Sequence, residues 1–274
     1  MENSKKMVKF FAIIMILCMV TCACQHSKKE YGVFIGIDPE NIADLYDYKT
    51  VVIDAEYFSK DQIEVLHRNG VEVYSYLNLG SLESFRSYYS EYKNIILGNY
   101  ENWDDEFWVD VSEKNWQKHI YEQAQKLSEK NIDGFFLDNA DVYFYYPSEN
   151  IFYGLISAIR NIDSLEKKVI INGGDFFVKR AVLDEEDQRI RIDGVNQECV
   201  FTNIDFDNRK MILQDPETSA YYKEYIHHCK EKGLEIYLTE YGNNDEIKKQ
   251  VDDLCWKNGY RYFISSGIDL DKAE

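Results

Sequence analysis

Short apolar runs and longer amphipathic stretches alternate along this chain from residue 31 to its end. The runs fall at 32–37, 51–54, 71–78, 134–138, 169–172, 194–198, 234–239 and 260–265. The fourth, Gly134-Phe135-Phe136-Leu137-Asp138, reads as a strand covered on both faces. Eight strands with helices between them predict one closed (β/α)8 TIM barrel, because parallel neighbours are joined by crossovers and helical crossovers coat the outside of the sheet. A further apolar bit at 107–111 is read as an excursion after the third strand.

The helices announce their ends. Ser59-Lys60-Asp61-Gln62 is a capping box closed by Gly70. Ser112 is read as the cap of a helix whose Trp116, Ile120, Ala124 and Leu127 share one stripe. Asp215-Pro216 starts a helix that stops near Gly233, and Asn244 starts one that runs to Gly259. With no repeat, low-complexity tract or interior linker, residues 31–274 read as a single domain.

The first two dozen residues follow a different rule. Lys5, Lys6 and Lys9 precede an apolar run at 10–20 and then Thr21-Cys22-Ala23-Cys24, the pattern of a secretory signal of lipoprotein type over 1–24. Cys24 is the expected acylated residue, with Cys22 as second choice, and 25–30 a polar tether. The chain is therefore expected outside the cytoplasm, held to a membrane by its lipid or secreted. Losing three lysines and Glu2 leaves the remainder more acidic than the formal charge of −18 of the whole, so nucleic acid and anionic polymers are repelled and cationic partners favoured. Only Cys199, Cys229 and Cys255 follow the signal, with no C-x-x-C spacing, which argues against a disulfide framework and a zinc site.

Chemistry concentrates at the strand tips. The residue at or just past each end gives Asp38, Asp54 with Glu56, Asn78 leading to Glu83, Asp138, Asp175, Glu198 and Glu240. Asp38 and Asp175 are discounted first, since helix caps favour Asp. Alternate strands of a barrel contribute side chains at one level, so Asp138 on the fourth strand and Glu198 on the sixth are expected to share a space, with Phe136 and Asn196 on their inward faces. Two carboxylates across a pocket are what glycoside hydrolysis needs, one protonated and one ionised. No histidine falls at a strand tip, against a Ser/His/Asp hydrolase. An all-carboxylate cation site among Asp54, Asp138 and Asp141 stays open on the sequence, as do two readings of the aromatic stretch 80–108: a sugar-stacking wall or a packed surface excursion.

The series Val52-Ile53-Asp54, Tyr76-Leu77-Asn78-Leu79-Gly80-Ser81-Leu82-Glu83-Ser84-Phe85-Arg86, Trp108-Val109-Asp110-Val111, Gly134-Phe135-Phe136-Leu137-Asp138-Asn139 and Asn196-Gln197-Glu198 resembles glycoside hydrolase family 114. That family comprises TIM-barrel proteins related to endo-α-1,4-polygalactosaminidase, and the likeness runs over residues 31–274. It implies hydrolysis of an α-1,4-linked galactosamine-containing polysaccharide by a chain expected to act as a monomer without a cofactor or metal. Asp138 is implied as nucleophile or base and Glu198 as acid/base. Asp54, Asn78, Glu83, Arg86 and Asp110 are implied to shape the subsite, Tyr76, Tyr143 and Tyr241 to face sugar, and Asn139, Asn196 and Glu240 to join the substrate-binding set. A deacetylated polymer of this kind is cationic and suits an acidic rim. Two other classes share these features: a surface-tethered carbohydrate-binding lipoprotein without turnover, and a metal-dependent hydrolase.

Overall fold

The computed structural model describes residues 28–184, 190–242 and 244–273. The expected signal, its Cys24 and positions 25–27 of the tether lie outside the described residues. Eight strands form one sheet: β1 (Lys29–Phe34), β2 (Tyr48–Ile53), β3 (Glu72–Asn78), β4 (Gly134–Asp138), β5 (Lys168–Asn172), β6 (Gly194–Glu198), β7 (Glu235–Tyr241) and β8 (Arg261–Ser265). They are hydrogen-bonded side by side in chain order, every pair parallel. The ring closes where Phe34 of β1 meets Phe263 of β8 edge-on, centroids 5.0 Å apart. Above that seam the Gly36 N–H donates to the Leu270 carbonyl at 3.2 Å. The TIM barrel read from the alternation is the observed fold.

The fourth and sixth strands have the bounds the pattern predicts, whereas β1 begins earlier and takes in Lys29 and Glu30 of the expected tether. The reason is pairing: Lys29 is in register with Tyr48, and the Lys28 ammonium just before it donates to the carbonyls of Asn69 and Gly70. The major helices are α1 (Lys60–Arg68), α2 (Lys114–Glu129), α3 (Glu149–Asp163), α4 (Pro216–Glu231) and α5 (Asp245–Asn258). Ser59 caps α1 in a full capping box, Asp215 caps α4, Asn244 caps α5, and Gly259 ends α5 in the left-handed region at φ 66°. Ser112 does not cap α2. Its hydroxyl and N–H both donate to the Asp110 carboxylate, and α2 starts after Glu113. The α2 stripe is buried as expected, and Trp116 also donates its indole N–H to the Leu79 carbonyl at 2.8 Å, fixing the loop after β3.

Two insertions rise above the barrel. The stretch after β3 folds into a small antiparallel sheet of Ser81–Glu83, Glu106–Val109 and Ile96–Asn99. After β6 comes a hairpin of Thr202–Asp205 and Lys210–Leu213 that the apolar pattern did not announce. The insertions touch each other: Trp103 packs edge-on against Phe206 with centroids 5.8 Å apart.

Inside the barrel the core is aromatic. Tyr31 and Tyr237 lie ring to ring at 4.8 Å, and the Tyr74 ring fills the space in front of Gly134 at the base of β4. A Cβ on Gly134 would lie 2.3 Å from that ring and 2.9 Å from the Lys168 carbonyl oxygen, a backbone atom that cannot swing aside. Gly134→Ala is therefore expected to lower stability by about 1–3 kcal/mol through overpacking. Urea unfolding checks this, and a variant as stable as the parent chain would show that the strand has slack there.

Candidate active site

Three strand tips carry the polar centre, and the chain leaves each of them the same way. Asp138 ends β4, Asn172 ends β5 and Glu198 ends β6. The next residue in each case is left-handed: Asn139 at φ 63°, Gly173 at φ 60° and Cys199 at φ 58°. Such a turn bends the main chain off the strand and leaves the tip side chain standing over the barrel mouth, at a steric cost for Asn and more for Cys. Gly173 is needed twice over, since a Cβ there would lie 2.7 Å from an Asp141 carboxylate oxygen.

The tip side chains are bonded to one another. The Asn172 amide nitrogen donates to Asp138 Oδ1 and to Glu198 Oε1, both at 2.8 Å, so those two oxygens are no farther apart than twice that distance. Asn172 is oriented from below by Asn196, whose amide donates to its oxygen at 2.7 Å. Asn196 is held in turn by the hydroxyls of Tyr31 and Thr239 at 3.2 and 3.1 Å. Tyr241 donates its phenol to Glu198 Oε2 at 2.6 Å. Burial, and then the facing Glu198 carboxylate, push the Asp138 carboxyl well above its ordinary range.

These groups line a cleft of about 980 Å³ at the C-terminal ends of the strands, where barrel enzymes keep their chemistry. One wall is built on Arg86, the only lysine or arginine among the described lining residues. It is buried, and its guanidinium is shared among Asp54 at 2.8 Å, Glu56 at 2.7 Å and Glu83 at 2.5 Å, with Tyr76 donating to Glu83 at 3.4 Å. Asp38, Asp104, Asp105 and Asp141 add further acidity to the same surface, as does Asp269, which is ion-paired with Arg209 at 3.3 Å. Asp38 also caps the turn after β1, as its position suggested. Asp141 accepts the Gly174 N–H at 3.0 Å, and burial followed by Asp175 opposite pushes its carboxyl up to about 7.

The sequence reading missed Asn172, because the fifth tip was read one turn further on at Asp175. It also missed Glu106. This residue comes from the insertion after β3 and accepts from Ser81, from Asn78 at 3.1 Å and from Asn139 at 2.9 Å, tying the insertion to the tips of β3 and β4. Burial raises its carboxyl as well. No local pattern marks it out; its role is created by three partners distant in sequence.

Four expected site residues are elsewhere. Glu240 points away from the barrel axis and accepts the N–H groups of Val200, Phe201 and Thr202 at 2.9 to 3.2 Å, so it secures the loop after β6. Alternation explains this: Thr239 and Tyr241 take the inward face of β7, leaving Glu240 the other. Asp110 is used by Ser112 near the start of α2. Tyr143 packs on Phe152 and accepts from Arg180 at 2.8 Å, outside the cleft lining. Asn196 is buried beneath Asn172 and positions it rather than facing the cleft. Asn78 and Asn139 support the floor through the Glu106 network, and Asn139 also lines the cleft. The imagined cation site does not assemble: Asp54 is bonded to Arg86, and no cluster of three His, Cys, Asp or Glu side chains suited to a metal occurs among the described residues.

A model of glycoside-hydrolase family GH114 matches residues 30–266. The fold is similar to that of the glycoside hydrolase domain of PelA from Pseudomonas aeruginosa, at a TM-score of 0.74 and 17% identity over 89% of this chain and 96% of that one. It is also similar to Ega3 of Aspergillus fumigatus, solved in complex with galactosamine, at a TM-score of 0.68 and 14% identity over 89% and 93% of the two chains. An uncharacterized protein of Thermotoga maritima is 24% identical over 110 residues, 38% of this chain, and the match spans about a third of that relative (34%).

The raised carboxyls set a pH dependence. A carboxyl that keeps its proton in the folded state contributes stability fully present below the ordinary Asp value of about 3.9. That contribution is lost as pH rises through the folded value, about 7 for Asp141 and well above the ordinary range for Asp138. Asp138→Asn is thus expected to melt higher than the parent chain at pH 7.5, by about 2–4 °C for each kcal/mol of repulsion relieved, and at the parent's temperature near pH 4. Scanning calorimetry across that range decides it; a variant melting lower at both ends goes against it.

Proposed function

This chain belongs to glycoside-hydrolase family GH114, and on that footing we propose that its cleft cuts an α-1,4-linked galactosamine-containing polysaccharide with Asp138 and Glu198 as the catalytic pair. The observation that carries the pair is the shared amide of Asn172, which holds one oxygen of each carboxyl at 2.8 Å. The bound this sets on those two oxygens is compatible with the about 5–5.5 Å of retaining glycosidases, and retention is the course proposed. Asp138 then attacks the anomeric carbon while Glu198 gives its proton to the departing oxygen. In the second half, Glu198 takes a proton from water as that water displaces Asp138, and the pair returns to its starting state.

Burial, and after it the facing Glu198 carboxylate, favours the protonated form of Asp138 in the empty cleft. A cationic sugar over Asp138 favours its carboxylate and leaves the proton for Glu198, while the Tyr241 phenol steadies the Glu198 oxygen it does not use. The charge of the cleft supports a cationic substrate, since its carboxylates far outnumber a single Arg86 that is already engaged. The galactosamine held by Ega3 supports the sugar. The pattern of residues 1–24 supports a lipid on Cys24 that keeps this activity at the outer side of a membrane.

Glu198→Gln and Asp138→Asn are each expected to lower hydrolysis of partially deacetylated α-1,4-galactosamine polymer by about 10²–10⁴-fold while the far-ultraviolet spectrum stays unchanged. Proton NMR of the first products should show the α-anomer ahead of mutarotation. Full activity in both variants sinks the pair, and a β-anomer sinks the double displacement.

A further inference from the structure

We propose that the trough beside the cleft is a second sugar subsite, which binds a protonated amino-sugar unit of the same polysaccharide strand that is cut at Asp138 and Glu198. This rests on the function proposed above and extends it to where the strand runs.

The trough holds about 540 Å³, within the range of small-molecule sites. It adjoins the cleft, with Tyr100 and Asp141 lining both. Its wall contains Phe144 and Phe176, whose rings lie 4.8 Å apart and are each 49% exposed. Large apolar rings left this open, on separate short helical turns after β4 and β5, are not being used to fill a core. Tyr145, itself 43% exposed, extends the same wall.

Beside Trp108, Tyr221 and Tyr222, the trough carries three acids. Asp175 lies close enough to Asp141 to raise its carboxyl, and the exposed Glu217 at the start of α4 also lines the trough. Lys179, which is not part of the lining, lies 3.7 Å from Asp175 and donates to the Tyr221 hydroxyl at 2.6 Å. Aromatic faces take the apolar C–H side of a pyranose ring, and an aromatic wall combined with carboxylates is the chemistry that recognises an ammonium group. A neutral sugar would use only the rings, and an acidic one would be repelled. An amino sugar uses both, so a strand lying over Asp138 and Glu198 gains contacts by extending past Tyr100.

The test uses the full chain carrying Glu198→Gln, so that binding is read without turnover, and titrates it by calorimetry with α-1,4-galactosamine oligosaccharides of increasing length. Affinity is expected to rise with length until the trough is filled. Phe144→Ala with Phe176→Ala should cost about tenfold for long oligosaccharides, or 1.4 kcal/mol, and nothing for the shortest that still binds. Glu217→Lys, which disturbs no packing, should weaken the charged oligosaccharides and spare their N-acetylated counterparts. Unchanged affinity at every length, or an equal loss at every length, overturns the subsite, and near-ultraviolet dichroism shows whether the double variant is folded. Polymer hydrolysis by the parent chain is measured alongside. Cleavage with an idle trough overturns this inference alone, whereas neither cleavage nor binding overturns the proposed function as well.

Discussion

Two carboxyl groups held within hydrogen-bond reach of one amide repel each other, and much of the architecture around the barrel mouth exists to keep them there. Asn172 supplies the donor that makes the arrangement tolerable, and it can do so only because Asn196 turns its oxygen down and its nitrogen up. Asn196 depends in turn on Tyr31 and Thr239, hydroxyls that arrive from β1 and β7. The chain of orientation therefore crosses the barrel interior, and the closure of the ring is what lets strands so far apart in sequence meet at one side chain.

The same repulsion links function with stability. Asp138, Asp141 and Glu106 all lie in surroundings that favour their protonated forms, with burial as the leading cause in each. A folded protein that gathers such groups gives up stability at neutral pH, and the aromatic core and the hydrogen-bonded barrel must offset that loss. Arg86 shows the alternative solution on the other wall: there one buried guanidinium is shared among three carboxylate partners. One side of the cleft thus has a cation of the protein itself among its acids, and the other has no lysine or arginine among the described lining residues.

Much of this was legible in the sequence, for definite reasons. The β4 and β6 bounds came out right because a glycine opens each strand and an acid closes it, and period-two alternation then put Asp138 and Glu198 inside. Glu240 was misplaced for want of the same argument, since its neighbours Thr239 and Tyr241 already claim the inward face. Tyr143 and Asp110 entered with a resemblance of blocks rather than from facing, and the structure gives each a local partner instead. Glu106 and the hairpin after β6 could not be read at all, because both are defined by contacts between segments that no local periodicity couples. In the stretch 80–108, Tyr88 and Tyr92 pack on α2 through His119 and Trp116, as a packed excursion would, while Phe85, Tyr100 and Trp103 line the cleft.

The contact between Trp103 and Phe206 joins the two insertions across the mouth. Both rings also line the cleft. Loops that leave the barrel after its third and sixth strands are thereby braced against each other by an aromatic pair of about 0.5–1.5 kcal/mol, so loosening either one loosens its neighbour as well.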